Sequence, residues 1–126
     1  MKAVLDASAL LAYLQDEPGS ETIEPMLDES AISIVNWAEV VQKSIAGGVD
    51  VDGLREDVEA LGLSLLPFTP EEAETAGRLW LETRSCGLSL GDRACLSLGL
   101  RLGVPVLTTD QIWATLNLPV TVRVTR

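Results

Sequence analysis

Asp92 interrupts the apolar helical pattern of "LSLGDRACLSLGLRLG", Asp110 follows the apolar run "VPVLTT" at once, and Asp6 ends the short apolar run of "MKAVLD". A carboxylate set among apolar neighbours is costly unless it is hydrogen-bonded, paired or neutralised by a cation. Asp92 shares a helical face with Cys95, Leu96 and Gly99, so its ordinary explanation is the helix dipole and its functional one a bound cation. Asp6 and Asp110 each have a simpler reading as the cap of the helix that follows. Ser8 is the better cap for the first of these helices, which frees Asp6, and Thr108 can hold Asp110 through its hydroxyl. Glu39 aligns with Asn36, Gln42 and Lys43 on one polar stripe, and by periodicity alone reads as a solvated surface residue.

The remaining inventory narrows the chemistry. With no histidine in the chain, catalytic triads and histidine-ligated zinc lack their essential residue. Cys86 and Cys95 match no zinc or redox spacing and read as reduced, packed thiols. Carboxylates are the abundant reactive groups left. The formal net charge of −10 suits metal cations or a basic protein partner better than the phosphates of a nucleic acid. Arg93, beside Asp92, has two readings, an ion pair with the acidic residues or a contact to a substrate phosphate. Trp37, Trp80 and Trp113 sit among aliphatics at helical spacing and read as packing anchors rather than base-stacking platforms.

The elements that must position these residues follow from periodicity and caps. "MKAVLD" gives a short buried strand and "SALLAYLQ" a helix; "DEPGS" is a turn, "ETIEPMLDE" a short helix weakened by Pro25, and "AISI" a second strand. From Asn36, "NWAEVVQKSIAGG" turns Trp37, Val40, Val41, Ser44 and Ile45 to one face and stops at Gly47 and Gly48. Asp50 or Asp52 can cap "GLREDVEALG", and "LSLLPF" is a third strand ended by Pro67. "TPEEAETAGRLWLETRSCG" opens with Thr69 as cap, Pro70 at the first helical position and Glu72 placed for a capping box, and runs to Gly87. Ser89 can cap the helix that ends at Gly103. "VPVLTT", a short helix at "QIWATLN" and an edge strand at "VTVRVT" complete the chain.

Apolar strands alternating with helices imply a single α/β domain over residues 1–126, with a mostly parallel sheet of about five strands flanked by helices on both faces. In such sheets ligands sit outside the carboxyl ends of the strands at the topological switch point, and Asp6 and Asp110 both end strands. No apolar stretch reaches the roughly 18–20 residues needed to cross a bilayer, and no signal-peptide pattern is present, so a soluble cytoplasmic protein with no membrane partner is expected.

Four segments taken together, "VLDASALLAYL", "NWAEVV", "LSLGDRACLSLG" and "PVLTTD", resemble the PIN-domain ribonucleases, most closely the VapC-type toxins of bacterial toxin–antitoxin modules. The resemblance spans almost the whole chain in order and in strand–helix context. It implies a PIN-like domain whose acidic pocket gathers Asp6, Glu39, Asp92 and Asp110 around Mg²⁺, or Mn²⁺, for endonucleolytic cleavage of a structured RNA such as a tRNA or rRNA. In that reading Asp6 and Asp92 ligate directly, Asp110 directly or through water, and Glu39 is a ligand or a water-orienting base, with Ser8 and Thr108 orienting the ligands. It also implies a homodimer and a cognate antitoxin whose basic C-terminal segment covers the pocket. A receiver or dehalogenase-type phosphotransfer fold needs a site lysine, and neither Lys2 nor Lys43 stands after a suitable strand. A catalytically weak PIN-like module that mainly binds a basic partner is the other alternative.

Overall fold

The computed structural model describes residues 1–126. Five strands, β1 (Ala3–Leu5), β2 (Ser30–Ser33), β3 (Ser64–Leu66), β4 (Val106–Thr108) and β5 (Val122–Val124), form one sheet in the order β3-β2-β1-β4-β5. Every pairing is parallel, with Leu5 opposite Ile32 on one side and Leu107 on the other. The α/β expectation therefore holds, with the final strand at the edge as its alternation indicates.

Seven α-helices join the strands: α1 (Ala7–Leu14), α2 (Ser20–Ile23), α3 (Ile34–Ala46), α4 (Leu54–Ala60), α5 (Pro70–Arg78), α6 (Trp80–Thr83) and α7 (Leu90–Leu102). Successive strand residues point to opposite faces. Ala3, Leu5, Ile32 and Leu107 pack with Leu10, Ile23, Trp37, Val40 and Val58 of α1 to α4. Val4, Ala31 and Val106 pack with Cys95, Leu96 and Leu98 of α7 and with Trp113. Strands buried on both faces are the reason the strand segments read as continuous apolar runs.

Several boundaries differ from the periodicity reading, some for local reasons and some through tertiary contacts. The helix expected from Asn36 starts at Ile34, because the Ser33 hydroxyl accepts from the Val35 N–H at 3.3 Å. Its apolar face ends early, and Ile45 is 57% exposed. Neither Asp50 nor Asp52 caps α4: the Asp50 side chain takes the Asp52 N–H in a turn of its own, and Gly53 in the left-handed region leads into the helix. Around Pro25 the weakened helix gives way to the 3₁₀ stretch Glu24–Glu29. The helix expected from Thr69 to Gly87 breaks into α5, α6 and the 3₁₀ turn Arg84–Cys86. The break follows the last turn of α5, where Arg93 Nη1 donates to the Ala76 carbonyl at 2.8 Å. Thr69 caps α5 as expected, but Glu72 closes no capping box; its buried carboxylate pairs instead with Arg101 of α7.

Gly99 sets how closely α7 lies on the sheet. A Cβ there would meet Val106 Cγ2 at 2.5 Å and Val120 Cγ2 at 3.2 Å, whereas a Cβ at Gly77 of α5 would meet nothing. Alanine in a helix is ordinarily worth up to about 1 kcal/mol over glycine. Gly77→Ala is therefore expected to stabilise by about 0.5–1 kcal/mol in urea unfolding, and Gly99→Ala to destabilise by about 1–3 kcal/mol through overpacking. Stabilisation by both would contradict this packing.

Candidate active site

The strand order reverses between β1 and β4, and the carboxyl ends of these two strands form the floor of an acidic cleft of about 120 Å³. Asp6, the residue after β1, is 5% exposed. Its Oδ1 accepts from the Ala9 N–H at 2.8 Å and from the Ser8 hydroxyl at 2.7 Å; its Oδ2 accepts from the Thr108 hydroxyl at 2.5 Å. The hydroxyls are themselves oriented. Ser8 Oγ accepts the Thr109 N–H at 3.0 Å and Thr108 Oγ1 accepts the Asp110 N–H at 3.1 Å, so each hydroxyl turns its one hydrogen toward Asp6.

This corrects one sequence expectation and extends another. Asp6, not Ser8, caps α1, and Ser8 instead supports the cap. The Thr108 hydroxyl holds Asp110 as expected, by accepting its backbone N–H, and also donates to the side chain of Asp6. Capping does not remove Asp6 from the cleft, since it lines the cavity as well.

The other three carboxylates reach the same cleft from three further elements. Asp92 completes a capping box with Ser89: Oδ2 accepts the Ser89 N–H at 2.9 Å, and Ser89 Oγ accepts the Asp92 N–H at 3.1 Å. Asp110 caps the 3₁₀ turn Gln111–Thr115, its Oδ1 accepting the Ile112 N–H at 3.1 Å. Glu39 Oε1 accepts from Asn36 Nδ2 at 3.0 Å. In each of these three the second oxygen has no hydrogen bond within the chain.

Glu39 is the clearest reversal. The polar stripe of Asn36, Glu39 and Lys43 exists, and it lines the cleft, with Asn36 1% exposed, Glu39 half-buried and Lys43 exposed. Arg93 is the opposite case: it pairs with no carboxylate and spends its guanidinium on the Ala76 carbonyl. Asn36 and Lys43 escaped the sequence reading as site residues, although their spacing from Glu39 was the signal. Lys43 is the one cationic side chain lining the cleft. Of the tryptophans, Trp37 and Trp113 are buried, Trp113 also lining the cleft, while Trp80 is 47% exposed with the Arg84 guanidinium 5.1 Å from its ring centroid.

Burial pushes the Asp6 carboxyl up to about 6 against the lowering effect of its Thr108, Ser8 and Ala9 hydrogen bonds, and the Asp92 charge adds to the rise. Burial, with the charges of Asp6, Asp92 and Glu39, also pushes the Cys95 thiol far up and keeps it neutral. The donor set, four carboxylates and oriented hydroxyls, is of the hard-oxygen type that suits Mg²⁺ or Mn²⁺. As the side chains stand, no three acidic groups converge around one point. A cation bound here would therefore have to keep much of its water, as Mg²⁺ commonly does.

The PIN domain family description matches residues 3–117. Among solved structures, the chain is similar to DNA-bound VapBC from Salmonella typhimurium, with a TM-score of 0.74 and 14% identity over 100% of this chain and 99% of that one. It is likewise similar to a toxin–antitoxin complex from Klebsiella pneumoniae (TM-score 0.70, 17% identity, 95% of this chain and 99% of that one). FitAcB from Neisseria gonorrhoeae gives a TM-score of 0.65 at 17% identity, covering 95% of each chain. At these identities the likeness is one of fold. No curated protein sequence matches the chain.

The raised carboxyl makes metal-free stability depend on pH. Because Asp6 is held above its ordinary 3.8, at about 6, its folded form favours the proton; the associated stability is full below pH 3.8 and is lost as pH rises through 6. The loss amounts to about 3 kcal/mol at pH 7.5. Unfolding in EDTA should therefore show Asp6→Asn close to the wild type near pH 4 and more stable than it by up to that amount at pH 7.5. A difference between the two proteins that does not change with pH would contradict the assignment.

Proposed function

Because the chain belongs to the PIN-domain family, we propose that it is a divalent-metal-dependent endoribonuclease and the toxin of a toxin–antitoxin pair. The observation that carries this reading is the meeting of Asp6, Glu39, Asp92 and Asp110 in one cleft at the switch point, three of them with an oxygen uncommitted.

A Mg²⁺ or Mn²⁺ ion in the cleft supplies Lewis acidity to water and to a phosphodiester. Asp6 and Asp92 would ligate it directly, Asp110 directly or through water, and Glu39 would be a ligand or the base that orients the attacking water. Ser8 and Thr108 keep the Asp6 carboxylate in place, so that it does not have to reorganise as charge develops. Lys43 is the residue placed to meet a phosphate oxygen of the RNA backbone. Hydrolysis breaks the bond between phosphorus and the leaving 3′ oxygen, and water provides the new oxygen.

The same features favour a basic protein partner. Four carboxylates in one cleft and a chain charge of −10 suit a cognate antitoxin whose basic C-terminal segment enters the pocket. The Klebsiella structure named above is itself a toxin–antitoxin complex. A homodimer is part of this reading. The rival reading, a catalytically weak module whose pocket mainly binds such a partner, draws on the three carboxylates that already cap their own elements, Asp6, Asp92 and Asp110.

Purified protein incubated with total cellular RNA separates the two. The ribonuclease reading expects discrete fragments with Mg²⁺ or Mn²⁺, none with EDTA, and a loss on the order of 100-fold or more in Asp6→Asn and Asp92→Asn. Asparagine at 92 can still accept the Ser89 N–H, so the helix start survives that change. Cleavage that persists in EDTA, or at an unchanged rate in either variant, would overturn the assignment.

A further inference from the structure

Asn36 commits both hydrogens of its amide, one to Glu39 Oε1 at 3.0 Å and one to the Gly91 carbonyl at 2.9 Å. Both partners are acceptors, which fixes the amide orientation and leaves Oδ1 buried with no partner. Asn36 thus ties the carboxylate of α3 to the first turn of α7, the turn that carries Asp92.

Gly91 completes the arrangement by what it lacks. A Cβ at this position would fall on Glu39 Oε1 and lie 2.9 Å from Glu39 Cδ. The backbone gives no other reason for glycine here, because Gly91 is helical and is not among the glycines with positive φ. Glycine in a helix costs up to about 1 kcal/mol relative to alanine. The residue is explained by the space it leaves for the Glu39 carboxylate.

We propose that Asn36 and Gly91 are a pair of positioning residues that hold the Glu39 carboxylate in the cleft, where it contributes to divalent-cation binding. The proposal rests on the metal-dependent reading above. A glutamate on a half-buried helix face has three rotatable bonds and reaches water readily. The Asn36 hydrogen bond selects the inward conformer, and the absent Cβ of residue 91 leaves that conformer unobstructed. Alanine at 91 meets only the far end of a flexible side chain, so it displaces Glu39 without disturbing the fold.

The test is Mn²⁺ binding by titration calorimetry, alongside thermal unfolding in EDTA, for the wild type, Glu39→Ala, Gly91→Ala, Asn36→Ala and the double variant Gly91→Ala/Glu39→Ala. Gly91→Ala is expected to melt at or above the wild-type temperature in EDTA, yet bind Mn²⁺ about 10-fold more weakly. Asn36→Ala is expected to weaken Mn²⁺ binding similarly. In the Glu39→Ala background, Gly91→Ala should change Mn²⁺ affinity no further, because the carboxylate it displaces is gone. Weakened binding in Glu39→Ala together with wild-type binding in Gly91→Ala and Asn36→Ala would overturn this inference alone. Additive losses in the double variant would also overturn it. Wild-type binding in Glu39→Ala would likewise overturn this inference alone, whereas absence of Mn²⁺ binding to the wild type would remove the metal-dependent reading beneath it.

Discussion

A carboxylate held at 5% exposure gives up most of its water, and Asp6 recovers that solvation from one backbone N–H and two hydroxyls. Thr108 comes from the far end of the chain and Ser8 from the following helix, and both are aimed by N–H groups of residues 109 and 110. The adjoining ends of β1 and β4 are thus joined by side chains beyond the ladder bonds, such as Asp6 N–H to Leu107 O at 3.1 Å. The cost of a negative charge at this point remains incompletely offset, as the raised carboxyl shows. A site that disfavours its own charge in the absence of a cation is a site that gains when one arrives.

The rest of the cleft follows the same economy of polar groups. Asp92 and Asp110 give one oxygen each to a helix or turn start and keep one uncommitted, so a single residue serves both local folding and the pocket. The plain readings were the helix dipole for Asp92 and a cap for Asp110, and neither keeps the residue out of the cleft. The positive side chains are distributed sparingly: Arg93 is spent on a carbonyl, Arg101 on Glu72, and Lys43 alone lines the cleft. The pocket is consequently acidic enough to attract a cation or a basic segment, with one ammonium available to a phosphate.

Strands and the placement of Asp6 and Asp110 were legible because a doubly covered parallel sheet writes short apolar runs, and a polar residue after such a run is conspicuous. The placement of Glu39 was not. Periodicity tells which residues share a helical face; it does not tell what lies opposite that face, and here α7 turns a polar stripe into a cavity wall. Similarly, Ser8 and Asp6 are both good caps, and the choice between them depended on Thr108, about a hundred residues away. Glu72 left its capping box for Arg101, and Arg93 left the acidic cluster for Ala76, both through tertiary contacts that local spacing does not encode. Gly91 could be seen in the sequence, but its meaning required the Glu39 carboxylate to be located first.

Anomalous diffraction from crystals of the protein grown with Mn²⁺ tests directly whether Asp6, Glu39, Asp92 and Asp110 together hold a cation at the switch point of the sheet. A single strong anomalous peak, or a close pair, between these four side chains is the predicted result, with the uncommitted oxygens of Glu39, Asp92 and Asp110 turned toward it. Mn²⁺ bound only at other carboxylates, with this cleft holding water alone, would contradict it.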